Sequence, residues 1–199
     1  MPCSIPNGIL FGMQWIIGVD EAGRGPLAGP VSVGAVALPV HLNEWSAWGG
    51  LKDSKQLSEK KREEWFLRIS TGGVRHSVAL VSAQVIDAAG IVSAVKNAAA
   101  QAVDMLHLSP QEAKVLLDKN IRLPEVWEQE EFIKGDERIP AIALASIVAK
   151  VTRDRYMCTL AEALPQYGFE RHKGYGTKAH YVALREHGLS SAHRKTFLS

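Results

Sequence analysis

The sequence predicts a single α/β domain built around a mixed β-sheet. Three observations support this. Three strand-like segments occur early in the chain, helical and strand-like segments alternate after them, and no repeat or linker interrupts the 199 residues. The hydrophobic fraction of 46% and charged fraction of 22% exclude disordered, collagen-like and disulfide-rich chains. We expect a core of sheet and helices over about residues 15–160 and a helical, basic segment over about 161–199.

The first half of the chain is predicted to form three strands and two helices. Apolar or alternating patterns predict strands over residues 15–19, 31–38 and 74–81. Ser58 is a suitable N-cap for a helix that runs to about residue 70. A stripe of apolar residues at helical spacing predicts an amphipathic helix over 91–107.

The second half is predicted to alternate between strands and helices. Residues 115–117 form a short apolar run that predicts a buried strand, and residues 132–133 are a weaker strand candidate. A long helix is expected over 139–157, with Ser146, Lys150 and Arg153 together on the side opposite its apolar stripe. A shorter helix is expected over about 177–187.

Carboxylates occur at the ends of two predicted strands. Asp20 and Glu21 end the first strand, and Asp118 ends the strand over 115–117. Because neighbouring residues of a strand point to opposite faces, we expect the chain to turn at Glu21. Asp136 follows a lysine and a glycine just before the long helix. If the first and fourth strands are parallel neighbours, Asp20 and Asp118 lie at the same carboxyl edge of the sheet.

These acids suggest a site for divalent cations. A buried carboxylate is costly unless it is paired or bound to a cation, and oxygen ligands favour Mg²⁺ or Mn²⁺. Two such ions roughly 3.5–4 Å apart can activate a water and stabilise the leaving oxygen in phosphodiester hydrolysis. The alternative is that Asp118 and Asp136 are ordinary capping or loop acids.

Two segments have the character of polyanion-binding elements. The glycines of Gly23-Arg24-Gly25 allow close approach of a ligand, and successive N–H groups can bind an anion. In residues 171–178, Tyr175 stands between glycines and amid cations, so its ring could stack while neighbouring side chains contact phosphates. A plain glycine turn and a flexible basic loop are the alternatives. His172 and His193 lack metal-ligand spacing and are predicted to be surface residues or phosphate contacts.

The charge distribution fits either a polyanion-binding protein or a protein with a solvated basic tail. Residues 150–199 contain nine Lys and Arg against four Asp and Glu, a net charge of +5, whereas residues 1–149 contain 14 against 17, a net charge of −3. The two cysteines form no disulfide framework, no signal peptide is visible, and no apolar run approaches the ~20 residues that span a bilayer. We therefore expect a cytoplasmic protein that does not associate with membranes. A monomer is also expected, although the sequence carries no signal of the oligomeric state.

Several blocks of the sequence resemble, in order, the ribonuclease HII family of bacterial type 2 ribonucleases H. The resemblance spans about residues 16–197. Its blocks are GVDEAGRGPLAGP at 18–30, LKDSKQL at 51–57, KGD at 134–136, ASIVAKVTRD at 145–154, YGF at 167–169, KGYGT at 173–177 and HR at 193–194.

The resemblance implies an RNase H-like fold with a C-terminal helical extension. It also implies a two-metal site for Mn²⁺ or Mg²⁺, whose ligands and catalytic residues are, by motif position, Asp20, Glu21, Asp118 and Asp136. The implied enzyme is an endoribonuclease that hydrolyses the RNA strand of RNA–DNA hybrids. It also cuts on the 5′ side of single ribonucleotides in duplex DNA, leaving 3′-hydroxyl and 5′-phosphate ends.

The resemblance further implies a set of substrate contacts. The backbone of Gly23, Arg24 and Gly25 would read the ribose 2′-hydroxyl, and Tyr175 would pack against the sugar. Phosphates would be contacted by Lys55, Ser146 and Lys150.

The sequence departs from the family after Asp118, where the family usually has Asp-Gly-Asn and this chain has Lys119 before Asn120. Two other readings compete with the nuclease: a catalytically silent module that binds hybrids or duplexes, and a different enzyme on the same fold. The sequence carries no signal for or against contact with a replication clamp.

Overall fold

A mixed five-stranded sheet forms the centre of the structure, a computed structural model that describes residues 13–51 and 57–198. The strands are β1 (Trp15–Ala22), β2 (Val31–Pro39), β3 (Arg75–Val81), β4 (Ala113–Asp118) and β5 (Gln129–Phe132). Their order across the sheet is β3-β2-β1-β4-β5. Strand β2 runs antiparallel to β1 and β3, whereas β1, β4 and β5 are parallel to one another. The prediction of a mixed sheet is confirmed.

Seven α-helices are found in the described ranges. They are α1 (Glu59–Thr71), α2 (Ala83–Ala89), α3 (Ile91–Asp104), α4 (Gly135–Arg138), α5 (Pro140–Ala163), α6 (Phe169–His172) and α7 (Lys178–His187). Ser58 caps α1 as predicted, since its side chain accepts a hydrogen bond from the N–H of Lys61. Helix α2 was not predicted from the sequence, because seven residues are too few to show a helical stripe. None of these helices is both long and apolar enough to cross a membrane.

Helices cover both faces of the sheet. Successive residues of β1 alternate between the two cores: Ile16 packs with residues of α1 and α5, whereas Ile17 packs with α3. The fold is therefore a layer of helices on each side of one sheet, which leaves the carboxyl ends of the parallel strands β1 and β4 at one edge.

Strand β1 is longer than predicted. The expected turn at Glu21 is wrong, because β1 stays paired with β2 as far as Ala22, which lies opposite Ser32. The chain turns instead at Gly23, whose φ of +91° is a conformation that suits glycine. Asp20 and Glu21 are thus consecutive residues of one strand.

Helix α5 packs against the sheet at two glycines. A Cβ atom on Gly18 would overlap the backbone of Ala141, and one on Gly34 would overlap the carbonyl of Ala145. This close approach buries the first ten residues of α5 on every side. Arg153, which the spacing places on the side opposite the apolar stripe, is also completely buried.

The C-terminal segment packs as a small third core. Tyr167, Phe169 and Ala183 cluster with Met157 at the end of α5 and with Ala28 in the segment after β1. His193 lies within this core, 2% exposed, where its backbone bridges to Ala28. The interpretation of His193 as a surface residue or phosphate contact is therefore wrong.

A chain of hydrogen bonds through two buried histidines ends at the carbonyl of Tyr175. The N–H of Ser190 donates to Nδ1 of His193, and the Nε2 atoms of His193 and His180 are 3.0 Å apart. Nδ1 of His180 lies 2.9 Å from the carbonyl oxygen of Tyr175. Because a carbonyl can only accept, His180 carries its proton on Nδ1 and accepts a hydrogen bond from Nε2 of His193. Both rings must be neutral for this chain to form.

Burial keeps the two rings neutral. It lowers the pKa of His180 and lowers the pKa of His193 from 6.5 to about 4, with the neighbouring ring of His180 adding to the second shift. Between pH 6.5 and about pH 4, His193 is increasingly protonated in the unfolded chain but stays neutral in the folded protein, so the unfolded chain binds more protons. The stabilisation from the neutral rings is therefore fully present above pH 6.5 and is lost as the pH falls toward 4.

We predict that His193→Gln lowers the melting temperature at pH 7.5 and that the gap to the wild-type protein narrows as the pH falls toward 4. Glutamine does not titrate, and its one terminal amide cannot place a donor toward His180 and an acceptor toward the N–H of Ser190 as the two ring nitrogens of His193 do. Thermal unfolding at a series of pH values measures the gap, with His41→Gln as the control because His41 is exposed. A gap that stays constant across this range would contradict the neutral hydrogen-bonded chain.

Candidate active site

The parallel pairing of β1 with β4 brings the first two predicted acids together. The register places Val19 opposite Leu117, so the next residues, Asp20 and Asp118, lie beside each other at the carboxyl ends of their strands. The expectation that these strands are parallel neighbours is confirmed. Acids at this edge of an α/β sheet stand where such folds bind ligands.

Asp20 is the most buried of the acids on the strands, with 3% of its surface exposed. Its Oδ1 accepts a hydrogen bond of 2.7 Å from the N–H of Glu21, and the side chain of Ser146 in α5 also hydrogen-bonds to it. Burial raises the pKa of Asp20 well above its usual value, and the negative charges of Glu21 and Asp118 raise it further. The ionised carboxylate is thus held at a cost that a nearby positive charge would lower.

Glu21 shares this environment but has a cationic neighbour. Burial and the charge of Asp118 raise its pKa, while Arg24 opposes that shift. Nε of Arg24 lies 2.6 Å from Oε1 of Glu21, and Nη2 of Arg24 donates to the carbonyl of Asn120. Arg24 therefore links the turn after β1 to the loop after β4. The second oxygen of Glu21, Oε2, is buried and has no hydrogen-bond partner among the described residues.

The remaining two acids are linked through Gly135. Oδ1 of Asp118 accepts a hydrogen bond of 2.9 Å from the N–H of Gly135. Asp136 follows directly, in the first turn of α4, and is completely buried. The left-handed conformation of Lys134, with a φ of 56°, starts this short helix after β5. The end of β4 and the start of α4 are thereby held side by side.

The donor set fits a hard divalent cation, although no closed set of ligands is formed. Within residues 13–51 and 57–198, no group of three or more His, Cys, Asp or Glu is arranged to hold a metal ion. Arg24 engages Glu21 and the N–H of Gly135 engages Asp118. Three observations nevertheless favour a cation. The donors are carboxylate oxygens, and the negative charge of Asp118 raises the pKa of both Asp20 and Glu21. In addition, the buried Oε2 of Glu21 lacks a hydrogen-bond partner in the described chain.

A buried arginine holds the glycine segment after β1 through its backbone carbonyls. The carbonyls of Gly23 and Arg24 accept hydrogen bonds of 2.7 and 2.8 Å from the buried guanidinium of Arg194. A Cβ atom on Gly23 would overlap the side chain of Arg153, whereas Gly25 is exposed with open space beside it. Among the described residues, none accepts a hydrogen bond from the backbone N–H groups of Gly23, Arg24 or Gly25. Of the three residues, Gly25 is exposed, so a ligand can reach its N–H.

The other predicted substrate contacts differ in their exposure to solvent and in their partners. Tyr175 is 44% exposed, and the guanidinium of Arg153 lies 5.9 Å from its ring centroid. The ammonium of Lys150 is paired with Asp154 at 2.8 Å. Ser146 is buried against Asp20 rather than exposed to solvent, so its prediction as a phosphate contact stays a prediction. Lys55 lies outside the described residues.

Sequence reasoning missed the two buried arginines that support this region. Arg153 and Arg194 are completely buried and donate to backbone carbonyls near the site. The available signal was their place in the family-like blocks at 145–154 and 193–194. Charge alone could not reveal them, because an arginine in a basic segment is expected to be solvated.

Comparison with known proteins identifies the relatives of this chain. Ribonuclease HII of Bacillus cereus is 48% identical over 186 residues, covering 94% of this chain and 70% of the relative. Among solved structures, the ribonuclease H2 of Pyrococcus horikoshii has a TM-score of 0.76 at 27% identity and covers 92% of this chain and 93% of its own. The ribonuclease HII of Archaeoglobus fulgidus, solved in complex with PCNA, has a TM-score of 0.75 at 29% identity, with coverage of 90% and 93%.

These structures confirm the expected RNase H-like fold. The sequence profile of the ribonuclease HII family matches residues 17–199, which include the turn after β1, the acids and the buried arginines. By this match and by its identity to curated relatives over nearly its whole length, the chain belongs to the ribonuclease HII family.

Proposed function

We propose that the chain is an endoribonuclease that hydrolyses the RNA strand of RNA–DNA hybrids and cuts on the 5′ side of single ribonucleotides in duplex DNA. The products would carry 3′-hydroxyl and 5′-phosphate ends. Ribonuclease H hydrolase activity follows from family membership. The observation that carries the finer proposal is the register of β1 with β4, which sets Asp20 beside Asp118 at the carboxyl edge of the sheet.

The proposal includes two divalent cations, Mg²⁺ or Mn²⁺, held by Asp20, Glu21, Asp118 and Asp136. When bound, such ions activate a water and stabilise the leaving oxygen of a phosphodiester. The chain's own groups orient the ligands: the N–H of Glu21 and the side chain of Ser146 fix Asp20, and the N–H of Gly135 fixes Asp118. Burial of Asp20 and Asp136 excludes bulk water, which strengthens electrostatic interactions at the site.

The same edge of the protein offers groups suited to reading a ribonucleotide. The backbone of Gly23, Arg24 and Gly25, of which Gly25 is exposed, would engage the 2′-hydroxyl, the group that distinguishes RNA from DNA. The half-exposed ring of Tyr175 can pack against the sugar. Lys55, Ser146 and Lys150 remain the proposed phosphate contacts. Lys119 is an exposed cation directly beside Asp118.

The partners in this proposal are an RNA–DNA hybrid or a duplex that contains ribonucleotides. The cytoplasmic location and the monomeric state expected from the sequence stay predictions. The positive charge of residues 150–199 supports a polyanionic partner.

A cleavage assay tests the proposal directly. A labelled DNA duplex with one ribonucleotide is incubated with the protein and Mn²⁺ or Mg²⁺, and the position of the nick is mapped. We expect one nick 5′ of the ribonucleotide, which is abolished by chelation of the metal and by Asp20→Asn. Asp104→Asn is the control, because Asp104 is an exposed acid at the end of α3. Tight binding without a nick would favour the alternative of a catalytically silent binding module.

The same Asp20→Asn variant is expected to be more stable than the wild-type protein in metal-free buffer at pH 7. Burial and neighbouring acids raise the pKa of Asp20 in the folded protein above its pKa in the unfolded chain. The free energy of unfolding therefore falls as the pH rises above the unfolded pKa, and the loss is greatest above the folded pKa, where Asp20 is ionised in both states. A gain of about 1 kcal/mol would raise the melting temperature by roughly 2–4 °C in a protein of this size. The gain should shrink as the pH falls toward the unfolded pKa. An unchanged or lower melting temperature at pH 7 would contradict the proposed repulsion.

Tyr175→Ala is expected to lower kcat/KM on a duplex with one ribonucleotide by about 5–150-fold, the effect of losing about 1–3 kcal/mol of stacking. The melting temperature should change little, because the ring is 44% exposed. Tyr156→Ala is the matched control, since Tyr156 is 43% exposed on α5. Unchanged kinetics in Tyr175→Ala would show that this ring does not contact the sugar.

A further inference from the structure

Two loops that face the proposed substrate are joined by one buried arginine. We name residues 23–30 the glycine loop and residues 173–177 the tyrosine loop. Arg153 of α5 is completely buried between them. Its Nε donates to the carbonyl of Pro30 at 2.9 Å and its Nη2 to that of Ala28 at 3.2 Å, both in the glycine loop. Its Nη1 donates to the carbonyl of Lys173 in the tyrosine loop at 3.0 Å.

The same guanidinium also supports the ring of Tyr175. Its Cζ atom lies 5.9 Å from the ring centroid, within the range of a cation–π interaction. Arg153 therefore contacts the tyrosine loop in two ways, through a backbone carbonyl and through the exposed ring that is proposed to meet the sugar.

The two loops also contact each other directly around this arginine. The N–H of Leu27 donates to the carbonyl of Gly174 at 2.9 Å. A Cβ atom on Gly174 would overlap the carbonyl of Ala28, so the two backbones approach as closely as glycine allows. The spacing between the loops is thus set by a short backbone contact and by the fork of Arg153.

Arg194 provides a natural comparison within the same molecule. It is also completely buried, and its guanidinium also donates to carbonyls, those of Gly23, Arg24 and Gly29. All three belong to the glycine loop. Its ring contact is with Phe197 rather than with Tyr175. Arg194 therefore fixes one loop, whereas Arg153 connects two.

The chemistry of arginine explains why such a connection is specific. A buried cation is tolerated only when its donors are satisfied, and the planar guanidinium presents its donors in a fixed fork. A lysine at position 153 would keep the charge but present a single ammonium, which cannot reach carbonyls on both loops in the same directions. Replacing the fork should therefore loosen the spacing of the loops while leaving the positive charge in place.

We propose that Arg153 is a positioning residue that sets the spacing between the glycine loop and Tyr175, so that both engage the same ribonucleotide. The proposal rests on the proposed function, in which these two loops contact one nucleotide. Arg153 acts through Tyr175 and through the loop backbone and touches no reacting atom itself.

A pair of double-mutant cycles tests this role. In the first, kcat/KM on a duplex with one ribonucleotide is measured for the wild-type protein, Arg153→Lys, Tyr175→Ala and the double variant. In the second, Arg194→Lys replaces Arg153→Lys, so that both cycles perturb a buried arginine and both report any general loss of stability. Melting temperatures are recorded for every variant.

We expect Arg153→Lys alone to lower kcat/KM by at least 10-fold but to have an effect at least 5-fold smaller once Tyr175 is already alanine. Among the described residues the guanidinium of Arg194 donates to the glycine loop and not to the tyrosine loop, so the effects of Arg194→Lys and Tyr175→Ala should be closer to multiplicative than those of Arg153→Lys and Tyr175→Ala. A purely structural role would lower the melting temperature in both arginine variants and produce the same multiplicative behaviour in both cycles. That result would overturn the proposal.

The experiment distinguishes a failure of the positioning role of Arg153 from a failure of the proposed function. If Tyr175→Ala alone leaves kcat/KM unchanged, the sugar contact in the proposed function is wrong. If Tyr175→Ala has its expected effect but multiplies with Arg153→Lys, only the positioning role is wrong. Arg153→Gln provides a second variant, and failure of both Arg153 variants to fold while Arg194→Lys folds would also count against positioning, since Arg153 would then be required for the fold itself.

Discussion

The parallel alignment of β1 with β4 is the constraint on which the proposed site depends. It brings residues from distant parts of the chain to one edge of the sheet, where Asp20 and Asp118 follow paired positions on neighbouring strands. Placing these acids together has an electrostatic cost, visible in the raised pKa of Asp20 and Glu21. The surrounding structure withstands this cost because the sheet is covered on both faces by helices and large apolar cores. A stable scaffold thus holds a locally unfavourable set of charges, which is a common property of catalytic sites.

Around this edge, supporting contacts come mainly from backbone groups. The N–H groups of Glu21 and Gly135 hold two acids, and backbone carbonyls of the glycine loop hold both buried arginines. Backbone groups have fewer accessible positions than long side chains, so contacts to them fix geometry tightly. Two side chains also take part: Ser146 hydrogen-bonds to Asp20, and Arg24 bridges Glu21 and the carbonyl of Asn120. If a substrate phosphate or a cation displaced Arg24 from Glu21, the Glu21 side chain would be free to move, whereas the acids held by backbone groups would stay in place.

Much of the fold could be predicted from the sequence because its signals are local. Ser58 identified the start of α1, and the apolar run over 115–117 identified the centre of β4. The turn expected at Glu21 was wrong because pairing with β2 extends β1 to Ala22, and strand pairing is a tertiary effect. His193 was misjudged for a similar reason: a polar residue near the C-terminus gives no local sign that it will be buried beside Phe169. The acids were found because carboxylates after apolar strands are conspicuous, whereas the buried arginines look like any surface cation.

The two glycines beneath helix α5 have a consequence for how this protein can change. Gly18 and Gly34 allow the helix backbone to rest directly on the sheet, and Ser146 extends from that helix to Asp20. Any side chain at either glycine would lift the helix as a rigid body and carry the serine away from the acid. A substitution at either position would therefore disturb the contact between Ser146 and Asp20 as well as the packing of α5 on the sheet.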